Sequence, residues 1–226
     1  ISSIRMIPKL VHQIYWGFND NGVLLKDIKE YKGAVDQNEL YCLTNNIKYK
    51  MWNKKDIELL LVDKYPEYID LYNEFKYDIQ RADFIRYIIL YEYGGIYIDC
   101  DVIFLKNCIP YDIFDREYFF VKSMGVIYNA IMGSKKHNNI FKLILNEIEM
   151  SIYKQEEEIY KTWKGRLVFQ TTGQSMLKRV LKNDKHILTN IIETYNPKKN
   201  IDDKNIDAYF LDYNASIWYE DIMKKV

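Results

Sequence analysis

Few cysteines, few histidines and no net charge frame this sequence by what they exclude. The three cysteines, Cys42, Cys100 and Cys108, form neither an even set nor a Cys-x-x-Cys spacing. A disulfide framework and a structural zinc site are therefore excluded as organising features. The three histidines, His12, His137 and His186, are scattered, and none reads as a metal ligand. Lys plus Arg and Asp plus Glu stand at 32 each, which removes the basic footprint of a nucleic-acid binder. No apolar run approaches the ~20 residues needed to span a bilayer. No signal-peptide pattern is visible, although the chain opens on Ile rather than Met, which leaves room for a leader or anchor ahead of it. A reducing, cytoplasmic setting is expected, with contact to a membrane peripheral at most. The pairs Lys198-Lys199 and Lys224-Lys225 are of the length usual for a solvated surface.

What is present is an ordinary globular composition, 48% hydrophobic and 28% charged over 226 residues, enough for a single domain spanning 1–226. Tyrosine is abundant at 21 copies, alongside much Ile, Lys and Asn, the mark of an AT-rich genome. Its ring and hydroxyl also suit sugars and bases. Residues 9–17 predict a buried first strand ending at Gly17. A helix, whole or broken, is expected over 23–42 and a strand over 47–52. Asn53 is placed to cap a helix carrying Ile57, Leu60 and Leu61, which Pro66 interrupts before a further helical segment to about residue 76. The central helix is expected from about Ile79 to Tyr93, with Ala82, Ile85, Ile89 and Tyr93 as its core stripe and Gly94 as its left-handed stop. Strands are then expected at 96–99 and 102–105, and two more over 118–133 around Gly125. Helices follow at 138–153, extending toward 163. A strand is expected at 166–170, a helix from the Thr171–Gln174 loop to Leu181, and a last strand at 208–213. Strands alternating with helices imply an α/β fold with a central, mostly parallel sheet flanked by helices.

The densest chemistry lies in Arg81-Ala-Asp-Phe-Ile-Arg-Tyr-Ile-Ile-Leu-Tyr-Glu-Tyr-Gly-Gly-Ile-Tyr-Ile-Asp-Cys-Asp101. Asp83 and Arg86 are three apart on the central helix, so they share a face. Asp99 and Asp101 end the following strand, where open α/β sheets bind ligands. Two carboxylates beside a guanidinium suit a divalent ion on a diphosphate, because Mg²⁺ and Mn²⁺ prefer hard oxygen ligands. Taken alone, Asp-x-Asp is a solvated turn more often than a site, and Asp83–Arg86 is a helical ion pair worth ~0.2–0.5 kcal/mol. The contiguity of helix, Gly-Gly stop and acidic strand end points instead to a site.

Asp83-x-x-Arg86 followed by Leu90-Tyr-x-Tyr-Gly-Gly-Ile-Tyr-x-Asp-x-Asp101 resembles the signature of the sugar-binding-region glycosyltransferases containing a DXD motif. That family takes in capsular-polysaccharide transferases, fungal initiating mannosyltransferases and, distantly, the large clostridial glucosylating toxins. Ile7–Gly17 resembles its first strand. The resemblance implies a GT-A fold, a nucleotide diphosphate sugar donor (UDP favoured over GDP), Mn²⁺ or Mg²⁺, retention of anomeric configuration, and a glycan or lipid-linked glycan acceptor. Asp101 would then bind the metal, and Asp99 the ribose, the metal shell or both. Asp83 and Arg86 would hold the donor sugar, with Arg86 also near the phosphates. Tyr15 would lie against the base, with Trp16 or Tyr97 closing that pocket. Asn129 resembles a residue that approaches the sugar, and Thr172-Gly173-Gln174 resembles a Thr-Gly-Pro loop. The stretch Asp212–Trp218 resembles a terminal His-x-x-x-x-Ser-Trp motif, keeping Trp218 but replacing His with Asp212, a possible metal ligand, and Ser with Ile217; Asn214 or Ser216 stand nearby. No side chain stands out as a nucleophile, so transfer on the face the diphosphate leaves is expected. A haloacid-dehalogenase-type phosphatase also uses Asp-x-Asp, but on its opening strand. A degenerate transferase fold acting as a sugar-nucleotide binding or interaction module is the other rival.

Overall fold

The computed structural model describes residues 6–15, 29–105, 113–123, 126–153, 164–182, 191–193 and 210–212. Trp16, Gly17, Gly125, Asn214, Ser216, Trp218, the first part of the helix expected at 23–42 and the helical extension toward 163 lie outside them.

Strand β1 (Leu10–Ile14) is buried from Val11 onward. A crossover through helix α1 (Lys29–Thr44) leads to β2 (Lys48–Trp52), which pairs parallel to β1. Asn53 then caps α2 (Lys54–Lys64) in a capping box with Asp56, so the chain starts a helix one residue after the strand ends. Pro66 opens a 3-10 turn, α3 (Ile69–Glu74) follows, and α4 (Asp78–Tyr93) returns the chain to β3 (Gly95–Ile98) on the other side of β1. These connections give the parallel block β2-β1-β3, since parallel neighbours need long crossovers. Beyond it come β4 (Val102–Phe104), β5 (Tyr118–Ser123), β6 (Val126–Ser134), α5 (Asn139–Ser151), α6 (Lys164–Thr171), α7 (Gln174–Leu181), β7 (Ile191–Glu193) and β8 (Phe210–Asp212).

The main sheet runs β2-β1-β3-β6-β5-β7. Three of its five pairings are parallel, and β6 is antiparallel to both β3 and β5. β4 and β8 form a separate antiparallel ribbon that pairs Val102 with Asp212. Alternation along the strands divides the core. Val11, Ile96, Ile98, Phe119 and Val121 face one apolar cluster. Ile14, Tyr97, Phe120 and Met132 face the other, with residues of α2, α4, α5 and α7.

Three expectations are corrected. Helix α4 is not a helix with one buried stripe: every residue from Ala82 to Leu90 is buried, Asp83 and Arg86 included. It lies against β1, β3 and β6 and is packed by α5 and α6, so no face is left to solvent. Residues 166–170, expected as a strand, lie within α6, where Leu167, Val168 and Thr171 are buried at helical spacing. The Gly94 stop does carry positive φ (63°), but its ψ of −162° is extended, so it turns the chain straight into β3 rather than closing the helix in the left-handed helical region.

Buried polar side chains tie the sheet to this turn. Trp52 Nε1–H, which can only donate, reaches His12 Nδ1 at 3.1 Å. The His12 proton therefore sits on Nε2 and is donated to the Gly94 carbonyl at 2.8 Å. Burial lowers the His12 pKa to about 4, with the Gly94 bond opposing, and the ring is neutral.

Candidate active site

At the carboxyl ends of β1 and β3 a cleft of about 320 Å³ opens. Tyr15, Asp83, Arg86, Tyr97, Asp99, Asp101 and Asn129 all line it. Seven of the residues singled out from the sequence thus share one cavity. Asp212 is fixed only in register, opposite Val102 and so one strand away from Asp101. Trp16 and Trp218 lie outside the described residues.

The centre of the cleft is a chain of charges. Arg86, 3% exposed, places Nη2 3.0 Å from Asp83 Oδ1 and Nη1 2.9 Å from Asp99 Oδ1. Nη1 also donates to the Asn129 carbonyl at 2.9 Å, and the guanidinium lies over the Tyr97 ring, 4.8 Å from its centroid. Burial disfavours the Arg86 cation, but the Asp99 and Asp83 carboxylates outweigh it and hold its pKa up. Asp83 accepts from Asn129 Nδ2 at Oδ1 (2.8 Å) and from Thr172 Oγ1 at Oδ2 (2.9 Å). Burial nevertheless pushes its carboxyl up to about 6, against the pull of Arg86 and these two donors.

Local structure explains how these groups meet. Tyr97 and Asp99 are two apart along the strand direction and face α4, so the Tyr97 hydroxyl donates to Asp99 Oδ1 at 2.7 Å. A β-turn, closed by Val102 N–H to the Asp99 carbonyl at 3.1 Å, follows and carries Asp101. This turn, not strand alternation, joins the two aspartates. It is held from behind: Tyr49 donates to Gln13 Oε1 (2.6 Å), whose Nε2 donates to the Asp99 carbonyl (3.0 Å). On its far side Asn38 brackets β4, donating to Val102 O (2.7 Å) and accepting from Phe104 N–H (3.0 Å). Asn129 enters the cleft because the β5–β6 ladder shifts register between Phe120 and Val121, leaving Asn129 in the bulged stretch of β6. Gln80 Nε2 donates to Thr171 Oγ1 at 2.8 Å and fixes α6 beside the start of α4.

Thr172, Gln13 and Tyr31 are the parts sequence reasoning did not place here. Thr172 had only its loop resemblance as a signal, and Gln13 is a lone buried polar residue in an apolar strand. Tyr31 of α1 meets Tyr15 edge-on at 6.4 Å. Burial first, then the charges of Asp101 and Asp99, raise the Tyr31 pKa.

Three carboxylates against one guanidinium leave the cleft with an excess of two negative charges, which a divalent cation would neutralise. Among the described residues no group of three or more His, Cys, Asp or Glu side chains is arranged to hold a metal ion by itself. That fits a hard ion held by one or two carboxylates and completed by ligand phosphates. Asp101, which follows Asp99 in the turn and lines the cleft, is the candidate ligand for such an ion. Among the described residues no helix is long and apolar enough to cross a membrane.

Residues 24–120 match the model of the glycosyltransferase sugar-binding region containing a DXD motif. Over 97% of its length the chain is 28% identical to inositol phosphoceramide mannosyltransferase 2 of Schizosaccharomyces pombe, of which it spans 60%. Over 64% of its length it is 32% identical to mannosyl phosphorylinositol ceramide synthase SUR1 of Saccharomyces cerevisiae, of which it spans 35%. The PaToxG glycosyltransferase superposes with a TM-score of 0.55 at 15% identity, covering 79% of this chain and 69% of that one. The ligand-free glycosyltransferase domain of the YGT toxin gives 0.51 at 8%, covering 84% and 80%. The architecture is the GT-A fold.

Proposed function

We propose that this chain is one of the glycosyltransferases whose sugar-binding region contains a DXD motif, and that it moves a sugar from a nucleotide diphosphate donor to a glycan or glycolipid acceptor with retention of configuration. The observation that carries this reading is the ion-paired chain Asp83–Arg86–Asp99 opening onto Asp101 in one cleft.

In this reading Tyr15 and Tyr31 take the base, and Asp99 the ribose. Asp101 holds Mn²⁺ or Mg²⁺, with Asp212 available from the adjacent strand position. The ion supplies charge stabilisation to the departing diphosphate. Arg86 adds a fixed positive charge beside the phosphates, in place before reaction and so without reorganisation cost. Asp83 and Asn129 orient the donor sugar's hydroxyls. Asp83 is a poor nucleophile, since both its oxygens already accept hydrogen bonds or an ion pair. This favours front-face transfer. The acceptor oxygen bonds to the anomeric carbon as the bond to the diphosphate oxygen breaks, and the acceptor proton passes to that diphosphate. The chain then contributes positioning and electrostatics. The sequence resemblance points to UDP, while the mannosyltransferase names of the relatives bring a mannosyl donor forward.

The test is release of nucleoside diphosphate from a panel of UDP- and GDP-sugars in Mn²⁺, Mg²⁺ or EDTA. Metal-dependent release from one donor supports the reading. Nucleotide binding without turnover of any donor, with or without added glycan, would favour a binding module.

A further inference from the structure

The cleft has two ends, and the sheet order separates them. Tyr15 follows β1, Asp99 follows β3, and Tyr128 and Asn129 lie on β6. The order β1-β3-β6 puts Tyr15 and Tyr128 on opposite sides of Asp99. Helix α7 packs on β6 and α6 packs on α4 and α7, so Phe169 and Gln174 belong to the Tyr128 end. Thr172, two residues before Gln174, is bonded to Asp83, which sets Gln174 just beyond the charged centre. Tyr128, Phe169 and Gln174 are half-buried and all line the cleft. Nothing in the charge chain uses them. Among the described residues the Tyr128 hydroxyl and the Gln174 carboxamide have no hydrogen-bond partner.

We propose that this end of the cleft is the acceptor subsite and that it takes a pyranose ring. The inference rests on the transferase reading given above. If the nucleotide lies at the Tyr15 end and the donor sugar at Asp83 and Asn129, the attacking hydroxyl must come from beyond Asn129. The wall there offers two aromatic rings, one carboxamide with donors and an acceptor, and one phenol. Sugars need that mixture: the C–H face of a pyranose packs on an aromatic ring, and its hydroxyls need partners of both kinds. The wall carries no charge, so it does not select an ionised acceptor.

The experiment uses methyl α-pyranosides of mannose, glucose and galactose, with myo-inositol, as acceptor probes on the full chain. Gln174→Ala and Tyr128→Phe are compared with wild type, and Tm checks that each variant folds. For the probe that accelerates donor turnover, the acceptor KM is expected to rise about tenfold in Gln174→Ala and about threefold in Tyr128→Phe. The donor KM should move at least threefold less. Equal effects on both KM values, or none on the acceptor, would overturn the assignment. If wild type turns over no donor, the transferase reading has failed, and the subsite is read by binding alone. Saturation transfer from protein to the pyranoside ring protons, weakened in Gln174→Ala, would still support it, and no transfer in wild type would overturn it.

Discussion

Arg86 and Asp99 are joined by a 2.9 Å ion pair that crosses from helix α4 to the end of strand β3. The same guanidinium is 3.0 Å from Asp83, so one buried cation holds a buried carboxylate and a partly exposed one. Removing it strands both. Arg86→Ala is expected to lower the unfolding free energy by ~3–5 kcal/mol, the cost of leaving buried charge unpaired. Arg86→Lys should recover less than half of that, since a single ammonium cannot reproduce the forked contacts to Asp83, Asp99 and the Asn129 carbonyl. Urea denaturation checks both, and a near-neutral Arg86→Lys would contradict the bridging role.

Thr172 is fully buried and donates to Asp83 from a different helix pair. Thr172→Val keeps the shape and removes the donor. Its expected cost is ~1.5–3 kcal/mol, the range for a hydrogen bond to a charged group, and Thr172→Ser should restore most of it. Thermal unfolding of the two variants decides.

Much of this site was legible because it is local. Asp83, Arg86, Asp99 and Asp101 fall within one helix–turn–strand unit, and spacing alone places them at one sheet end. Asn129 and Thr172 are far along the chain from the Asp83 they contact, and only the β6 bulge and the α6–α7 corner bring them in. Leu167-Val168-Phe169 misled because a short apolar run with a β-branched residue does not distinguish strand from buried helix. Only packing against α4 and α7 settles it as α6. Similarly, the Asp83–Arg86 face of α4 reads as polar and exposed on a helical wheel, yet the fold covers it on all sides. The β4–β8 pairing joins distant segments and carries no local signal.

His12 supplies a pH dependence. Its folded pKa, about 4, lies below its ordinary value of 6.5 because burial opposes the charged form. The unfolded chain therefore binds a proton that the folded one refuses as pH falls. The His12 contribution is fully present above pH 6.5 and is lost between 6.5 and 4, by ~3 kcal/mol in all. Ring nitrogen NMR should show one neutral Nε2–H tautomer from pH 7 to 5. A titration midpoint near 6.5 would contradict it.

Two glycines should respond in opposite directions to the same change. A Cβ on Gly95, where φ is 96°, would sit 2.4 Å from the Leu10 carbonyl oxygen, with β1 unable to yield. Gly95→Ala is expected to cost ~3 kcal/mol or more from strain and overlap together. A Cβ on Gly33, inside α1, meets nothing within 4 Å. Gly33→Ala should stabilise by ~0.5–1 kcal/mol. Denaturant midpoints of the pair check the β1–β3 contact.

The central claim is metal-assisted departure of the diphosphate at Asp101. The measurement is the initial rate of donor turnover by wild type and Asp101→Asn, each in saturating Mn²⁺ and in EDTA, using the donor found by the panel. The account predicts that EDTA abolishes wild-type turnover and that Asp101→Asn in Mn²⁺ falls by about 100-fold or more, as loss of a main electrostatic contributor would. Asp101→Asn turning over at the wild-type rate in saturating Mn²⁺ would contradict it.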